Sequence, residues 1–177
     1  MGAGSSAVWV FDRDVVVTAG RVSSLVSTVM WIVLGASGMA AVLTGDLVAR
    51  VGLARAWITG MLLLAAATAT IGLVPGSFLA IFSGAAVFGA VYIALTGVLL
   101  VWGTRLFPDL PAFGVGAPFV LVALGQAVAA PWSGCSPTPP PVAAFCAASL
   151  VAVLGAFSRP RGDGLPSTCG LRGFPTD

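Results

Sequence analysis

Three long stretches of this chain carry no charged residue: 22–45, 56–104 and 110–158. About 20 consecutive apolar residues are needed to cross roughly 30 Å of hydrocarbon as a helix. The first stretch holds one such span, near 25–44. The second holds two, near 57–74 and 77–103, separated by the turn signal Pro75-Gly76. The third also holds two, near 111–131 and 142–157. Between those lies SGCSPTPPP (133–141), through which no helix can continue. The runs do not alternate polar and apolar positions as outer-membrane strands do. An open strand in lipid would also leave its backbone groups unpaired. The pattern therefore predicts an all-α, polytopic membrane helix bundle of about five transmembrane helices. The membrane domain is 25–157, preceded by an N-terminal segment, 1–24, and followed by a Gly-, Pro- and Ser-rich tail, 158–177, expected to be disordered.

Composition agrees. Hydrophobic residues make up 58% of the 177 and charged ones 8%, against roughly 25% charged in an ordinary soluble domain. Mean hydropathy is +1.06. The charges are eight Arg and six Asp, with no Lys, Glu or His, too few to cover a soluble globule but enough where lipid is the main solvent. Arg50 and Arg55 lie between spans one and two, Arg105 between three and four, and Arg159, Arg161 and Arg172 after span five. Five crossings put all six on one side, which the positive-inside rule makes cytoplasmic. The N-terminus then faces out and the C-terminus in. Abundant Ala, Gly, Val and Arg without Lys is the mark of GC-rich coding, so a bacterial cell membrane is the expected location. Residues 1–24 are not a signal peptide, having no basic start followed by an apolar core. AVWVF (7–11) and VVV (15–17) read instead as pieces of an apolar element broken by Asp12-Arg13-Asp14, as if one upstream span were missing or damaged.

Little here suggests bond-making chemistry. Cys135, Cys146 and Cys169 are widely spaced and form no C-x-x-C pair, and there is no His, so no metal centre and no cofactor is expected. No Ser has a visible base to activate it, so no catalytic residue is assigned and an enzyme is not expected. The scattered Arg residues do not form the dense patch that nucleic-acid binding needs.

The segment joining spans one and two reads Gly45-Asp46-Leu47-Val48-Ala49-Arg50-Val51-Gly52-Leu53-Ala54-Arg55. It resembles the cytoplasmic signature of the major facilitator superfamily, Gly-x-x-x-Asp-Arg-x-Gly followed by basic residues. Gly45, Arg50 and Gly52 match by position. Ala49 stands where the family has its acidic residue, Asp46 lies three positions earlier, and Arg55 falls one residue beyond the usual basic pair. Such decay resembles the copy in the second half of the family's twelve-helix carriers. Gly125-Gln126 followed by Pro131 is similar to a stretch in the fifth helix of some second halves. The resemblance, over about 15–158, implies an incomplete C-terminal half of a secondary transporter, working by alternating access about a midplane site. Its partners would be the bilayer, a small solute, and either the N-terminal half or another copy. The competing reading is a small structural or accessory membrane protein without transport of its own.

A carrier site requires polar groups at midplane depth. Span three offers Tyr92 and Thr96, one turn apart on one face, with Gly89 leaving room beside Tyr92. The null assignment for them is a hydrogen bond to a neighbouring helix for Tyr92 and to its own backbone for Thr96. Gln126 must face protein or a wet cavity, since an unpaired carboxamide in lipid is costly. Trp31 either lines the cavity or anchors at the interface. These four are the candidate substrate-cavity residues. Gly35-x-x-Gly38 with Ala41, and Gly84 with Ala85 and Gly89, read as close helix packing. No span carries an ionisable side chain of the kind that proton coupling places inside the membrane.

Overall fold

The computed structural model describes residues 1–14, 23–74, 76–134 and 141–158, without the side chains of 10–14, 130–134 and 141–142. The 158–177 tail lies outside the described residues apart from Ser158, as does most of the Pro-rich loop. The helices are α1 (Gly2–Asp14), α2 (Ser24–Ser37), α3 (Thr44–Val51), α4 (Leu53–Leu73), α5 (Phe78–Leu106), α6 (Pro111–Gly134) and α7 (Pro141–Phe157), with a 3-10 segment, Gly38–Leu43, joining α2 to α3. Among the described residues there is no strand. The chain is thus an all-α bundle of membrane type. Four helical runs are long and apolar enough to cross a membrane: Ser24–Val51, Leu53–Leu73, Phe78–Leu106 and Pro111–Ala129. The expected fifth span, α7, is apolar but shorter at 17 residues.

Serines open two of the crossings. Ser23 Oγ accepts the Val26 N–H and Ser77 Oγ the Ala80 N–H, each at 3.5 Å, satisfying donors that a helix start leaves free. The first crossing runs further than its apolar run suggested. It passes through Gly38–Leu43 and ends at Val51, so Gly45 and Asp46 are helical and not part of a turn. Thr44 and Val48, four apart, are buried on the inner face and carry the helix over the single Gly45, whose propensity cost is about 1 kcal/mol. The chain turns instead at Gly52, with φ +85°, a conformation that a Cβ disfavours. Its N–H still bonds to the Val48 carbonyl at 3.0 Å.

Helix α4 is central, packed on α5 and α7 and touched by α1 and α3. Half of its most apolar stretch is buried, against 6% for α6, so α6 presents most of its surface outward. Contacts give the directions. Trp57 Nε1 donates to the Gly155 carbonyl at 3.1 Å, and Gly72 abuts Phe145, so α4 and α7 are antiparallel. Gly60 faces Leu95 and Gly84 faces Ile71, so α4 and α5 are too. Arg50, Arg55 and Arg105 therefore share one end of the bundle. Gly89 lies against the Leu34 carbonyl and Gly38 against Ile93, as close packing predicts. Gly35 does not: it is exposed, with nothing within 4 Å of a Cβ built there, because the inner face of α2 is set by Ser27, Met30 and Leu34.

The N-terminal segment departs most from expectation. Its described part does not stand apart from the membrane domain, because α1 packs on α6, α7 and α4. Ser5, Ser6, Ala7 and Val8 are all buried. Gly2 lies against Val122, midway along α6, and Gly4 against Ala148 and Ala152 of α7. Helix α1 thus starts at mid-depth and runs toward the end opposite Arg105, with Asp12-Arg13-Asp14 in its last described turn.

At Gly103 a Cβ would overlap the Gly114 carbonyl, whereas one at Gly116 would meet nothing within 4 Å. Helices α5 and α6 cross backbone to backbone at the first pair. Gly103→Ala should cost about 1–3 kcal/mol, read as a lower unfolding midpoint in detergent, and Gly116→Ala should leave that midpoint unchanged or raise it. Equal effects at the two positions would contradict the crossing.

Candidate functional site

Buried hydroxyls in this bundle mostly bond to their own helix. Ser6 Oγ donates to the Ala3 carbonyl and Thr68 Oγ1 to the Leu64 carbonyl, both at 2.8 Å. Thr96 does likewise, its hydroxyl donating to the Tyr92 carbonyl at 2.9 Å. This local bond uses the one hydrogen of Thr96 and leaves its oxygen as an acceptor only.

One polar cluster links different helices. Gln126 Nε2 on α6 donates to Tyr92 Oη on α5 at 3.1 Å and to Ser5 Oγ on α1 at 3.3 Å. Ser5 passes its own hydrogen to the Gly2 carbonyl at 3.0 Å. Aromatic rings surround the cluster. Trp9 of α1 lies with its ring centre 5.5 Å from Tyr92, 5.6 Å from Trp31 and 6.2 Å from Phe88. Tyr92 stacks on Phe88 at 5.7 Å. Phe88 is fully buried, Tyr92, Trp31 and Gln126 are half-buried, and Trp9 is 40% exposed. The rings form a closed base with a partly open rim. The cluster holds no charged group, so it can donate and accept hydrogen bonds and stack on an apolar face. Among the described residues no three His, Cys, Asp or Glu side chains converge to hold a metal.

Three of the four candidate residues, Tyr92, Gln126 and Trp31, therefore meet, and Thr96 adjoins them without taking part. They do not line the apolar cleft found between α4, α5 and α6. That cleft, of about 300 Å³, lies nearer the Arg end, between Trp57, Leu99 and Trp102 on one side and Pro118 and Leu121 on the other, with Met1 and Gly2 at its deep end. Ser5 and Trp9 of α1 pack against the Gln126–Tyr92 pair, and Leu34 and Ser37 of α2 take the space beside Gly89. Ser5 and Trp9 are the site residues that sequence reasoning missed. Trp9 lies in the apolar piece AVWVF. Ser5 carries no signal in the sequence.

The cytoplasmic-signature residues lie apart from this cluster. Gly45, Asp46, Arg50 and Arg55 are exposed, and no ion pair among the described residues joins them. Asp46 stands in the first turn of α3 and Arg50 in its last, each favourable to the helix dipole.

No protein-family model, curated protein or solved structure matches the chain.

The Gln126–Tyr92 bond can be measured. Interhelical hydrogen bonds in membrane bundles average about 0.6 kcal/mol and reach about 1.7. A double-mutant cycle of Tyr92→Phe and Gln126→Ala should give a coupling in that range. A coupling of zero would mean that α5 and α6 are not joined there.

Proposed function

We propose that this chain takes part in moving a small solute across a membrane, as one half of a major-facilitator-like carrier, in a bacterial cell membrane with the Arg end inside. The observation that carries the reading is the half-open rim of Trp9, Trp31 and Tyr92, backed by Gln126 and Ser5. A buried carboxamide in lipid is retained at a cost unless it is paired. Here it fixes the tyrosine hydroxyl while the ring faces remain partly accessible.

The helix count supports the same reading. Among the described residues six helical elements alternate in direction, α1, α2–α3, α4, α5, α6 and α7, as in one half of such a carrier. Helices α1, α2, α5 and α6 bring the aromatic rim to one side, where a second half would close over it. The rim suits an uncharged amphipathic or aromatic solute, held by ring contact and by one hydroxyl. The Gly45–Arg55 segment, with its turn at Gly52, would sit at the cytoplasmic boundary, where guanidinium groups pair with anionic lipid or a facing helix end.

A site shared between two halves is incomplete in one. Reconstituted alone into liposomes, the chain should show no saturable uptake of any solute in a panel of small aromatic and amphipathic compounds. At least one of these should quench tryptophan emission saturably in the wild-type protein, and Trp9→Leu should abolish that response. Saturable uptake by the chain alone would overturn the half-carrier reading. Quenching unaffected by Trp9→Leu would overturn the assignment of the rim.

A further inference from the structure

The cleft near the Arg end is separate from the aromatic rim, and its chemistry differs. Its walls are Leu99, Leu106, Phe107, Leu121 and Val122 with two tryptophans. Neither indole N–H opens onto it. Trp57 Nε1 is bonded to the Gly155 carbonyl, and Trp102 Nε1 is buried without a partner. A polar solute entering here would lose its water and find few partners in return. A hydrocarbon would lose nothing.

The dimensions narrow the choice. The walls run along α5 from Leu99 to Phe107 and along α6 from Gly114 to Val122. Eight residues of helix rise about 12 Å, close to the roughly 15 Å of one leaflet of a 30 Å hydrocarbon core. The cleft starts at mid-depth, against Met1 and Gly2, and ends where α5 gives way to the α5–α6 turn. A volume of about 300 Å³ is at the lower limit of small-molecule sites, suited to one slender chain and not to a whole lipid.

Charge marks the outer end. Arg105 sits between the lining residues Gly103 and Leu106, is exposed, and makes no ion pair among the described residues. Asp109, exposed in the following turn, is not paired with it. Arg50 and Arg55 lie at the same end, so positive charge exceeds negative there. We infer that the cleft holds one acyl chain of an anionic phospholipid from the Arg-side leaflet, with the lipid phosphate on Arg105. A cation at the interface beside an interhelical groove is the arrangement by which anionic headgroups are recognised, and a guanidinium pairs with phosphate in a two-pronged geometry.

The test uses the purified full chain in mild detergent with an equimolar mixture of phosphatidylglycerol and phosphatidylcholine, read by native mass spectrometry. The wild type should retain one lipid, with phosphatidylglycerol favoured severalfold. Arg105→Gln should retain a lipid without that preference, and Ala117→Trp, which fills the cleft, should retain none. No retained lipid in the wild type, no preference between the lipids, or a preference that survives Arg105→Gln would overturn the inference, as would wild-type retention by Ala117→Trp. A second measurement is independent of whether Ala117→Trp folds. Phosphatidylglycerol with brominated chains should quench wild-type tryptophan emission more than brominated phosphatidylcholine does, and Trp102→Phe should reduce that difference. Equal quenching by the two lipids would overturn the assignment.

Discussion

Hydrocarbon offers no hydrogen bonds, so each polar group placed in it has to find its partner inside the protein. The rest of this structure follows from that constraint. The backbone answers it by being helical throughout the described spans. The hydroxyls answer it locally: Ser6, Thr68 and Thr96 each donate to a carbonyl three or four residues earlier. Two side chains reach across instead: the Gln126 carboxamide ties α6 to both α5 and α1, and the Trp57 indole ties α4 to α7, while Ser27 Oγ, Thr44 Oγ1 and Trp102 Nε1 are the exceptions that stay buried without a partner. Arg50, Arg55 and Arg105 obey the same constraint by leaving the hydrocarbon together at one end.

Burial alone gives helices in lipid little reason to associate, because lipid tails are as apolar as leucine side chains. Close approach of backbones supplies the contact instead. Helices α5 and α6 meet at Gly103 and Gly114, α5 and α2 at Gly89 and Leu34, and α1 and α6 at Gly2 and Val122. Larger side chains then fill what remains around α4, with Met61, Leu64, Ile71, Phe88 and Phe145 fully buried. The same tight fit places Trp9 against Trp31, Phe88 and Tyr92. Packing and the candidate site are therefore one arrangement: without α1 the ring of Tyr92 and the amide of Gln126 would lose their partners on that side.

How much of this was legible depended on length and charge. The four long crossings were, because their apolar runs exceed what a soluble helix needs and end at charged or turn residues. Their ends shifted by a few residues where buried positions such as Leu53 or Val48 prolonged the helix. Helix α1 shows in the sequence only as a fragment of an apolar element, since 13 residues ending in three charges look like neither a full span nor a leader. Its role comes from burial, which no local pattern in so short a segment reveals. The meeting of Tyr92, Gln126 and Trp31 was foreshadowed by their polarity or ring character at mid-depth. The cleft was not, because apolar walls resemble any other apolar surface until the helices are placed around them.

The central claim is that α1 belongs to the bundle, between α6 and α7, and so completes the aromatic site. A Cβ at Gly4 would lie 3.1 Å from the Ala152 Cβ, near the separation of about 3.5–4.5 Å at which two cysteines form a disulfide. The direct measurement is oxidative cross-linking of Gly4→Cys with Ala152→Cys in membranes, in a background where the three native cysteines are Ser. Rapid, near-complete intramolecular disulfide formation is the predicted result, with no cross-link when the second cysteine is placed at the exposed Leu150. Failure of the Gly4–Ala152 pair to cross-link, or equal cross-linking to both positions, would contradict the placement of α1 and with it the site.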